Sequence, residues 1–368
     1  MKYRVRPAIA WLKSMSYLSD GQAEPADTID CSLGVNPYGV SPKITKEIYA
    51  QSFSSLNSYP PYPYTNTCKA LAKYWSKAVA LKPEQISMQS GSMSALCTIN
   101  NIFLDAGSHI LVSLPCFSSY ITHARSCGAI IDYVPLCEDK GYAFDVDAFI
   151  KEIKPEHRLI YIDNPNNPTG QHIPLEDIKK VLDTALKLEV MVLVDEAYGD
   201  FESMHDSAVT LVNSYENLLV ARTFSKGFGL GAVRAGYIVM PEAVVNVINK
   251  AAGEMNLTTI ACELIPHALA DQQFVDESIN KIRKSKQKII NSLSVIKVSK
   301  TSLNVPIALY YVEQDVDLAA ALEKLHIKIE KGVDFEGIGK RHVRLRVPDD
   351  DKVDELIARL LQVEQQIK

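Results

Sequence analysis

The sequence predicts an α/β protein with a large domain built on a mainly parallel β-sheet, followed by a smaller α+β domain. Between about residues 68 and 240, short apolar runs alternate with segments of helical periodicity. Short, densely apolar strands separated by helices are typical of a parallel sheet covered by helices on both faces. After about residue 255 the pattern changes to long helices, short strands and a closing helix. This change predicts the smaller domain.

The local pattern assigns each element of the large domain. Strands need short apolar runs, and the helices show an apolar face that recurs every three to four residues. A glycine at the end of a periodic segment, as at Gly128, favours the end of a helix. Strands are predicted over 82–91, 108–115, 129–136, 158–165, 190–197 and 217–225, and helices over 68–81, 92–103, 118–128 and 175–189.

The smaller domain follows from the same criteria. Its predicted helices cover 242–255, 258–294 and 350–366, and its predicted strands lie near 307–313, 327–332 and 342–348. We expect an N-terminal arm over 1–30 that packs on the small domain, a large domain over 31–255 and a small domain over 256–368.

Composition excludes several classes of protein. The chain is 47% hydrophobic and 23% charged with a net charge of -5, which argues against disorder, membrane insertion and phosphate-backbone binding. No run approaches the ~18 apolar residues of a membrane span. Seven scattered cysteines without a CxxC pair indicate neither a metal site nor a redox pair. We expect a cytoplasmic protein without nucleic-acid or membrane partners.

Polar residues follow three of the predicted strands. DNPNNPTGQ (163–171), DEAYGDF (195–201) and RTFSKGFGLGAVRAG (222–236) each begin where an apolar run ends. Ligands bind beyond the carboxyl ends of strands in open parallel sheets. A turn explains the first segment alone and a helix cap explains Asp195 alone, but together they predict one binding site.

These motifs resemble the pyridoxal-phosphate enzymes of the aspartate-aminotransferase fold (fold type I), closest to the branch of histidinol-phosphate aminotransferase and threonine-phosphate decarboxylase. The resemblance runs from about Asp30 to the C-terminus. It implies a mainly parallel seven-stranded sheet and pyridoxal 5'-phosphate as cofactor. Lys226 resembles the lysine that holds this cofactor as a Schiff base, and Asp195 the carboxylate that faces its pyridine nitrogen. Asn167 and Tyr198 match the donors to its 3-oxygen.

The resemblance also implies how the cofactor is anchored. Ser225 and Arg234 match phosphate ligands, and the backbone amides of Ser92 and Met93 should face the phosphate because they begin a helix. Met93 stands where an acidic residue is usual in the close family, which leaves a backbone amide unaffected. Phe117 is the residue expected to stack on the cofactor ring.

The segment SYPPYPYTN (58–66) resembles the part of the family that crosses a dimer interface. Tyr62 is the best match for the tyrosine that reaches the neighbouring subunit's cofactor phosphate, with Tyr64 as the alternative. The resemblance therefore implies a homodimer with shared active sites.

Substrate binding is implied at two further places. Arg344 matches the arginine that binds the substrate's α-carboxylate, while Arg346 is expected to point to the opposite face of the strand. Asn36 and Tyr38 lie in a stretch that resembles the family's substrate-closing segment.

Glu330 departs from the family pattern. In the two phosphorylated-substrate enzymes an arginine that binds the substrate's phosphate stands at this place, so a carboxylate here argues against such substrates. A neutral or cationic side chain is the expected alternative, unless a one-residue slip puts Lys331 in the role.

The predicted function is therefore an aminotransferase that moves an amino group between an amino acid and a 2-oxo acid. A decarboxylase or an oxygen-dependent oxidase on the same scaffold is the alternative, because these motifs do not decide which α-bond breaks. A cofactor-sensing regulator or idle binding protein has little support with Lys226, Asp195 and Arg234 all present.

Overall fold

The computed structural model describes residues 5–10, 12, 24–51, 53 and 57–368. Its strands are β1 (Ile29–Asp30), β2 (Ile86–Gln89), β3 (His109–Leu114), β4 (Ile130–Pro135), β5 (His157–Asp163), β6 (Met191–Asp195), β7 (Leu218–Thr223), β8 (Gly236–Val239), β9 (Lys297–Val298), β10 (Ile307–Tyr311), β11 (Ile327–Lys328), β12 (Glu330–Lys331) and β13 (His342–Arg346). Its α-helices are α1 (Pro7–Ala10), α2 (Lys46–Gln51), α3 (Thr65–Trp75), α4 (Ser92–Phe103), α5 (Ser118–Ser126), α6 (Val146–Lys151), α7 (Leu175–Lys187), α8 (Val245–Ala251), α9 (Thr259–Leu269), α10 (Gln272–Ser292), α11 (Leu318–Glu323) and α12 (Val353–Ile367).

The large sheet has seven strands in the order β2-β8-β7-β6-β5-β3-β4. Neighbouring strands from β7 to β4 are parallel, and only β8 runs antiparallel to its neighbours β7 and β2. The predicted mainly parallel seven-stranded sheet is therefore confirmed.

Alternating side chains of the central strands enter two different hydrophobic cores. Ile160 and Ile162 of β5 pack in the core that contains helix α7, whereas Leu159 and Tyr161 pack in the core that contains α4 and α5. A strand covered on both faces needs apolar residues at successive positions. This requirement explains the unbroken apolar runs of the sequence.

The C-terminal part forms a second, smaller sheet with the order β12-β13-β10-β9, antiparallel throughout. Its core includes α12 and also Ile29 and Cys31 from the N-terminal part. Strand β1 pairs in parallel with β11, and Asp27 forms ion pairs with His326 and Arg359. Residues 24–30 thus pack on the C-terminal part.

The expectation that residues 1–30 pack on the small domain is met for only part of this segment. Helix α1 lies against α5 of the large domain, not against the small sheet, and residues 1–4, 11 and 13–23 of the arm lie outside the described residues. The boundary at 255 stays a prediction. Leu257, Ala261 and Ile265 belong to the core of the large sheet, and Ile289 to that of the small one, which favours a boundary within α10.

Several element boundaries differ from the sequence expectations. The helix expected over 68–81 ends at Trp75, and the segment 242–255 is helical in α8 only after a short 3-10 turn. Strand β8 was not predicted. Among the described residues, no helix is both long and apolar enough to cross a bilayer; the cytoplasmic location stays a prediction.

Candidate active site

Eleven of the residues singled out in the sequence line one cavity of about 830 Å³. The cavity lies beyond the carboxyl ends of β5, β6 and β7, and β12 and β13 supply part of its wall. Parallel strands present their binding loops at this edge of a sheet. The residues are Ser92, Met93, Phe117, Asn167, Asp195, Tyr198, Ser225, Lys226, Arg234, Glu330 and Arg344.

Lys226 follows β7 and lies in the cavity with its Nζ atom 5.4 Å from the centre of the Tyr198 ring. Burial lowers the pKa of Lys226 to about 8, and the positive charge of Arg344 acts in the same direction. About a tenth of the amine is therefore neutral and nucleophilic at pH 7, far more than for an exposed lysine.

Asp195 ends β6 and is buried beneath the cavity. Its carboxylate accepts hydrogen bonds from the Tyr161 hydroxyl (3.0 Å) and the Ala197 amide (3.1 Å). Burial raises the pKa of Asp195 to about 6, although the Tyr161 hydrogen bond opposes the rise. Above that pH the cavity contains a fixed buried negative charge.

The polar side chains of Tyr198 and Asn167 line the same cavity as Lys226 and Arg344. The Tyr198 hydroxyl is buried without a hydrogen-bond partner. A Cβ atom at Gly34 would lie 1.8 Å from that hydroxyl, so glycine is required where this backbone passes it. The Asn167 Oδ1 atom accepts from Arg344 Nη1 at 3.0 Å.

An anion-binding cradle lies at the start of α4. The helix begins at Ser92, and Arg234 donates to the Ser225 hydroxyl at 3.5 Å. A Cβ atom at Gly91 would lie 2.5 Å from Arg234 Nη2, and one at Gly236 would lie 2.8 Å from the Ser92 amide nitrogen. Gly91 therefore lets the guanidinium approach the helix N-terminus, and Gly236 lets the backbone of β8 pass close to it. The arrangement is suited to a phosphate group.

Arg344 and Glu330 form an ion pair at the opposite side of the cavity. They are direct partners in the β12–β13 ladder, and Glu330 Oε1 lies 2.6 Å from Arg344 Nη2. Arg344 also donates to the Ser32 carbonyl, yet its Nε atom is buried without a partner. Burial raises the pKa of Glu330, and the Arg344 charge opposes this.

Three of the predicted residues do not line the cavity. Asn36 is buried and donates to the Gly227 carbonyl (2.9 Å) and to Ser278 (3.0 Å). Tyr38 donates to Asp350 at 2.8 Å. The expectation that either contacts substrate is corrected, because these bonds direct both side chains elsewhere; Leu33, Gly34 and Val35 line the cavity instead.

Tyr62 is the third residue, and 47% of it is exposed on the surface. Tyr64 is buried, and its hydroxyl accepts from the Leu257 amide at 3.0 Å. Of the two alternatives, Tyr62 is the one that is exposed on the surface, while its ring packs edge-on against Tyr64.

The remaining alternatives are also resolved by position. Arg346 shares the face of Arg344, since residues two apart on a strand point the same way, but it donates to the Val347 and Asp30 carbonyls outside the cavity. The expectation that Arg346 lies on the opposite face of the strand from Arg344 is therefore wrong. Lys331 pairs with Glu323 and does not line the cavity, so the one-residue slip has no support. Cys116 is buried beside the site.

Sequence reasoning missed the buried network beneath the loops. Arg222 of β7 bonds to Glu196 (2.6 Å) and Asp200 (2.5 Å), and its guanidinium lies 5.0 Å from the Trp75 ring centre. A Cβ atom at Gly227 would lie 2.3 Å from Asp200 Cβ. The network therefore fixes the loop after β6 against the loop that carries Lys226. An arginine inside an apolar run gave no sequence signal of this role.

Asp163 was missed as well. This buried carboxylate accepts hydrogen bonds from the amides of Phe117 (3.2 Å) and Asn167 (3.0 Å), and so sets the position of both residues in the cavity. Its place directly before the asparagine-proline turn was the only available signal.

Residues 26–360 match the family model "Aminotransferase class I and II". The histidinol-phosphate aminotransferase of Halorubrum lacusprofundi is 31% identical over 74% of this chain and 73% of its own. That of Methanosarcina mazei is 28% identical over 91% of this chain and 88% of its own. In both comparisons more than two thirds of this chain and of the relative are covered, so the similarity extends over most of each protein.

Solved structures share the fold. The histidinol-phosphate aminotransferase of Sinorhizobium meliloti in complex with pyridoxal-5'-phosphate superposes with a TM-score of 0.84 at 22% identity, covering 100% of this chain and 99% of that one. That of Clostridium acetobutylicum gives 0.82 at 24% identity, covering 92% and 99%. With the family match and the residues of the cavity, these findings identify the chain as a member of the class I and II aminotransferases, which depend on pyridoxal phosphate.

Proposed function

We propose that this aminotransferase moves the amino group of an unphosphorylated amino acid to a 2-oxo acid, with the α-carboxylate of either substrate bound by Arg344. The observation that carries the proposal is the ion pair of 2.6 Å between Glu330 and Arg344 inside the cavity. A carboxylate placed against the substrate-binding guanidinium favours a substrate of low negative charge.

The cavity fits the cofactor of the family. We call the region of Ser92, Asp195, Ser225 and Arg234 the cofactor side. It combines a phosphate cradle at a helix N-terminus, a buried carboxylate and, next to Lys226, an unpartnered Tyr198 hydroxyl. Each of these groups is complementary to a part of pyridoxal phosphate: the phosphate, the pyridine nitrogen and the 3-oxygen.

The chain's own residues then have distinct tasks. When bound, pyridoxal phosphate supplies a ring that withdraws electrons from the substrate's α-carbon. The negative charge of Asp195 would favour a protonated ring nitrogen. Asn167 and Tyr198 would donate hydrogen bonds to the 3-oxygen of the cofactor. Phe117 covers one wall. These residues hold charge and orientation rather than exchange protons.

Lys226 is the proton carrier in this proposal. Its Nζ atom would accept the proton that leaves the substrate's α-carbon and would later release it, as amino transfer requires. A pKa of about 8, lowered by burial, suits a group that must both accept and donate near neutral pH. No other described lysine lines the cavity.

Charge at the opposite side sets the substrate class. We call Glu330, Asp334 and Arg344 the substrate side. The side chain of Glu330 is 12% exposed, so a phosphate dianion bound by Arg344 would lie beside a poorly solvated carboxylate. Like charges repel strongly in such a place. A single α-carboxylate meets less repulsion and matches the bidentate geometry of a guanidinium.

Histidinol phosphate is the second candidate substrate. The curated relatives at 28% to 31% identity are named for it, so the expectation of an unphosphorylated substrate is not confirmed and the relatives favour the opposite.

Competing donors decide between the two. The holoenzyme would be assayed with single amino acids and with histidinol phosphate, each with 2-oxoglutarate, and both products quantified by mass spectrometry. The proposal expects a higher kcat/KM with an unphosphorylated amino acid. A higher value with histidinol phosphate would refute it, and release of carbon dioxide without amino transfer would favour the decarboxylase alternative.

We further propose a homodimer in which Tyr62 reaches the cofactor phosphate of the second subunit. Its exposure of 47% and its position outside the cavity of its own chain support this. Tyr62→Ala should lower activity, and mixing it with the inactive Lys226→Ala chain tests the proposal. Hybrid dimers would contain one intact site and exceed the activity of either variant alone, whereas a Tyr62→Ala protein with the activity of the parent would refute it.

A further inference from the structure

We propose that the substrate carries a positively charged side chain, which binds between Glu330 and Asp334, so that the donor is a basic amino acid of the ornithine, lysine or arginine class. This inference rests on the proposed function, because it needs the α-carboxylate at Arg344.

The two carboxylates belong to the same wall of the cavity. Glu330 lies in β12, and Asp334 follows in the next turn, whose backbone is fixed because the Ser118 hydroxyl donates to the Asp334 carbonyl at 2.6 Å. Glu330 is nearly buried and Asp334 lies exposed at the mouth. A long side chain that starts near Lys226 would pass the first carboxylate and end near the second.

Charge balance favours a cation there. On the substrate side the described lining residues include two carboxylates, those of Glu330 and Asp334, against the single cation Arg344. A substrate carboxylate engages Arg344 and thereby weakens the ion pair between Arg344 and Glu330. A cationic side chain would restore a partner to that nearly buried carboxylate, whereas a neutral one would leave it poorly compensated.

Helix α5 supplies a wall that does not compete for this position. Its residues in the cavity are Ser118, Ser119, Thr122, His123 and Ser126. Burial lowers the pKa of His123, so this imidazole is neutral at pH 7. The wall therefore offers hydroxyl groups, and none of these five side chains carries a positive charge that would repel an ammonium or guanidinium group.

Unpartnered polar atoms indicate that a ligand completes the site. Arg344 Nε and the Tyr198 hydroxyl are buried and lack hydrogen-bond partners, and both residues line the cavity. Buried donors of this kind are rare in proteins unless a ligand, ion or water satisfies them.

Ornithine and norvaline form the matched pair of donors, since they differ only in the terminal amine. The holoenzyme should use ornithine with a kcat/KM at least about tenfold higher, the contribution of one charge-assisted contact. In Glu330→Gln this ratio should fall toward one, and in Asp334→Asn it should fall part of the way. The ratio is the readout because Glu330→Gln also frees Arg344, which alters the binding of both donors alike.

Glu336→Gln is the control variant. Glu336 lies two residues beyond Asp334, pairs with Arg125 at 2.8 Å and does not line the cavity, so the ratio should not change. An equal loss in Glu336→Gln and Glu330→Gln would overturn the inference.

Binding without turnover gives an independent measurement. Calorimetry with 5-aminopentanoate and pentanoate compares a cationic with a neutral ligand that both lack the reacting α-amine. Tighter binding of 5-aminopentanoate that Glu330→Gln abolishes supports the inference, and equal binding contradicts it. Norvaline and ornithine used equally well would refute only the cationic class. Preference for histidinol phosphate over both would refute the proposed function itself.

Discussion

The cofactor side and the substrate side of the cavity are assembled in different ways. Asp195, Ser225 and Lys226 follow adjacent parallel strands of one sheet, and Ser92 begins a helix that packs on it. Glu330 and Arg344 come from a separate small sheet, next to backbone near residue 32. The first side depends on one contiguous framework, whereas the second depends on how distant parts of the chain meet.

Their charges are also held differently. On the cofactor side, Asp195 and Asp163 accept several hydrogen bonds from fixed backbone and hydroxyl donors. On the substrate side, the Glu330 carboxylate is paired with the Arg344 guanidinium of the neighbouring strand, which also donates to Asn167 and to the Ser32 carbonyl. We therefore expect substitutions on the cofactor side to impair the reaction itself, and substitutions on the substrate side to change which substrate is bound. The following experiments test this contrast.

Lys226→Ala should have the largest effect. Removing the amine should lower kcat by at least about 10³-fold, because covalent attachment and proton transfer are both lost. Steady-state kinetics and the protein's absorbance after gel filtration measure the two losses separately. Lys331→Ala is the control, since Lys331 pairs with Glu323 outside the cavity. Residual activity within tenfold of the parent would remove Lys226 from the reaction.

Arg222→Met should destabilise the framework itself. It leaves Glu196 and Asp200 buried without their cation, which costs about 3–5 kcal/mol in the free energy of unfolding. Urea denaturation followed by tryptophan fluorescence is suitable, because Trp75 adjoins the guanidinium. Adding Glu196→Gln and Asp200→Asn should recover part of the loss. A change below about 1 kcal/mol would show that the network does not support the loops.

Arg344→Lys should act on the substrate side alone. An ammonium cannot reproduce the two parallel hydrogen bonds of a guanidinium, so KM should rise about 10- to 100-fold while kcat changes less. Arg346→Lys is the matched control: it lies on the same strand face, but bonds to backbone carbonyls outside the cavity. A similar rise of KM in both variants would contradict the assignment of Arg344.

The same contrast explains what the sequence could predict. The central strands β5, β6 and β7 were predicted because burial on both faces requires unbroken apolar runs, and their loops carry contiguous motifs. Strand β8 was missed because it has four residues and runs antiparallel, next to a motif that drew attention to Arg234. The helix predicted over 68–81 was too long at its C-terminal end, because α3 ends at Trp75 and the helical backbone does not continue to residue 81.

Residues whose partners are distant in the chain could not be predicted. Asn36 was assigned to the substrate, but its amide bonds to Gly227, 191 positions away. Arg222 forms ion pairs with Glu196 and Asp200. These contacts arise only when β7 packs against the loop after β6. Glu330 was recognised as a departure, whereas its direct pairing with Arg344 requires the register of β12 and β13.

The smallest expected effect is on the pH dependence of cofactor uptake, which reports how charges on the substrate side act on Lys226. Only the neutral amine of Lys226 reacts with a carbonyl, and burial lowers its pKa to about 8. Reconstitution of the cofactor-free protein should therefore accelerate with rising pH and level off above about 8. Below that pH the neutral fraction, and with it the rate, falls about tenfold per unit. Stopped-flow absorbance measures the rate.

Substitutions on the substrate side should move this inflection in opposite directions. The Arg344 charge lowers the pKa of Lys226 and the Glu330 charge raises it. Arg344→Gln should therefore shift the inflection to higher pH, and Glu330→Gln should shift it to lower pH. Glu336→Gln, whose carboxylate pairs with Arg125 outside the cavity, should leave it in place. If both cavity variants kept the parent profile, the two sides would be electrostatically independent, and Glu330 would act on the substrate alone.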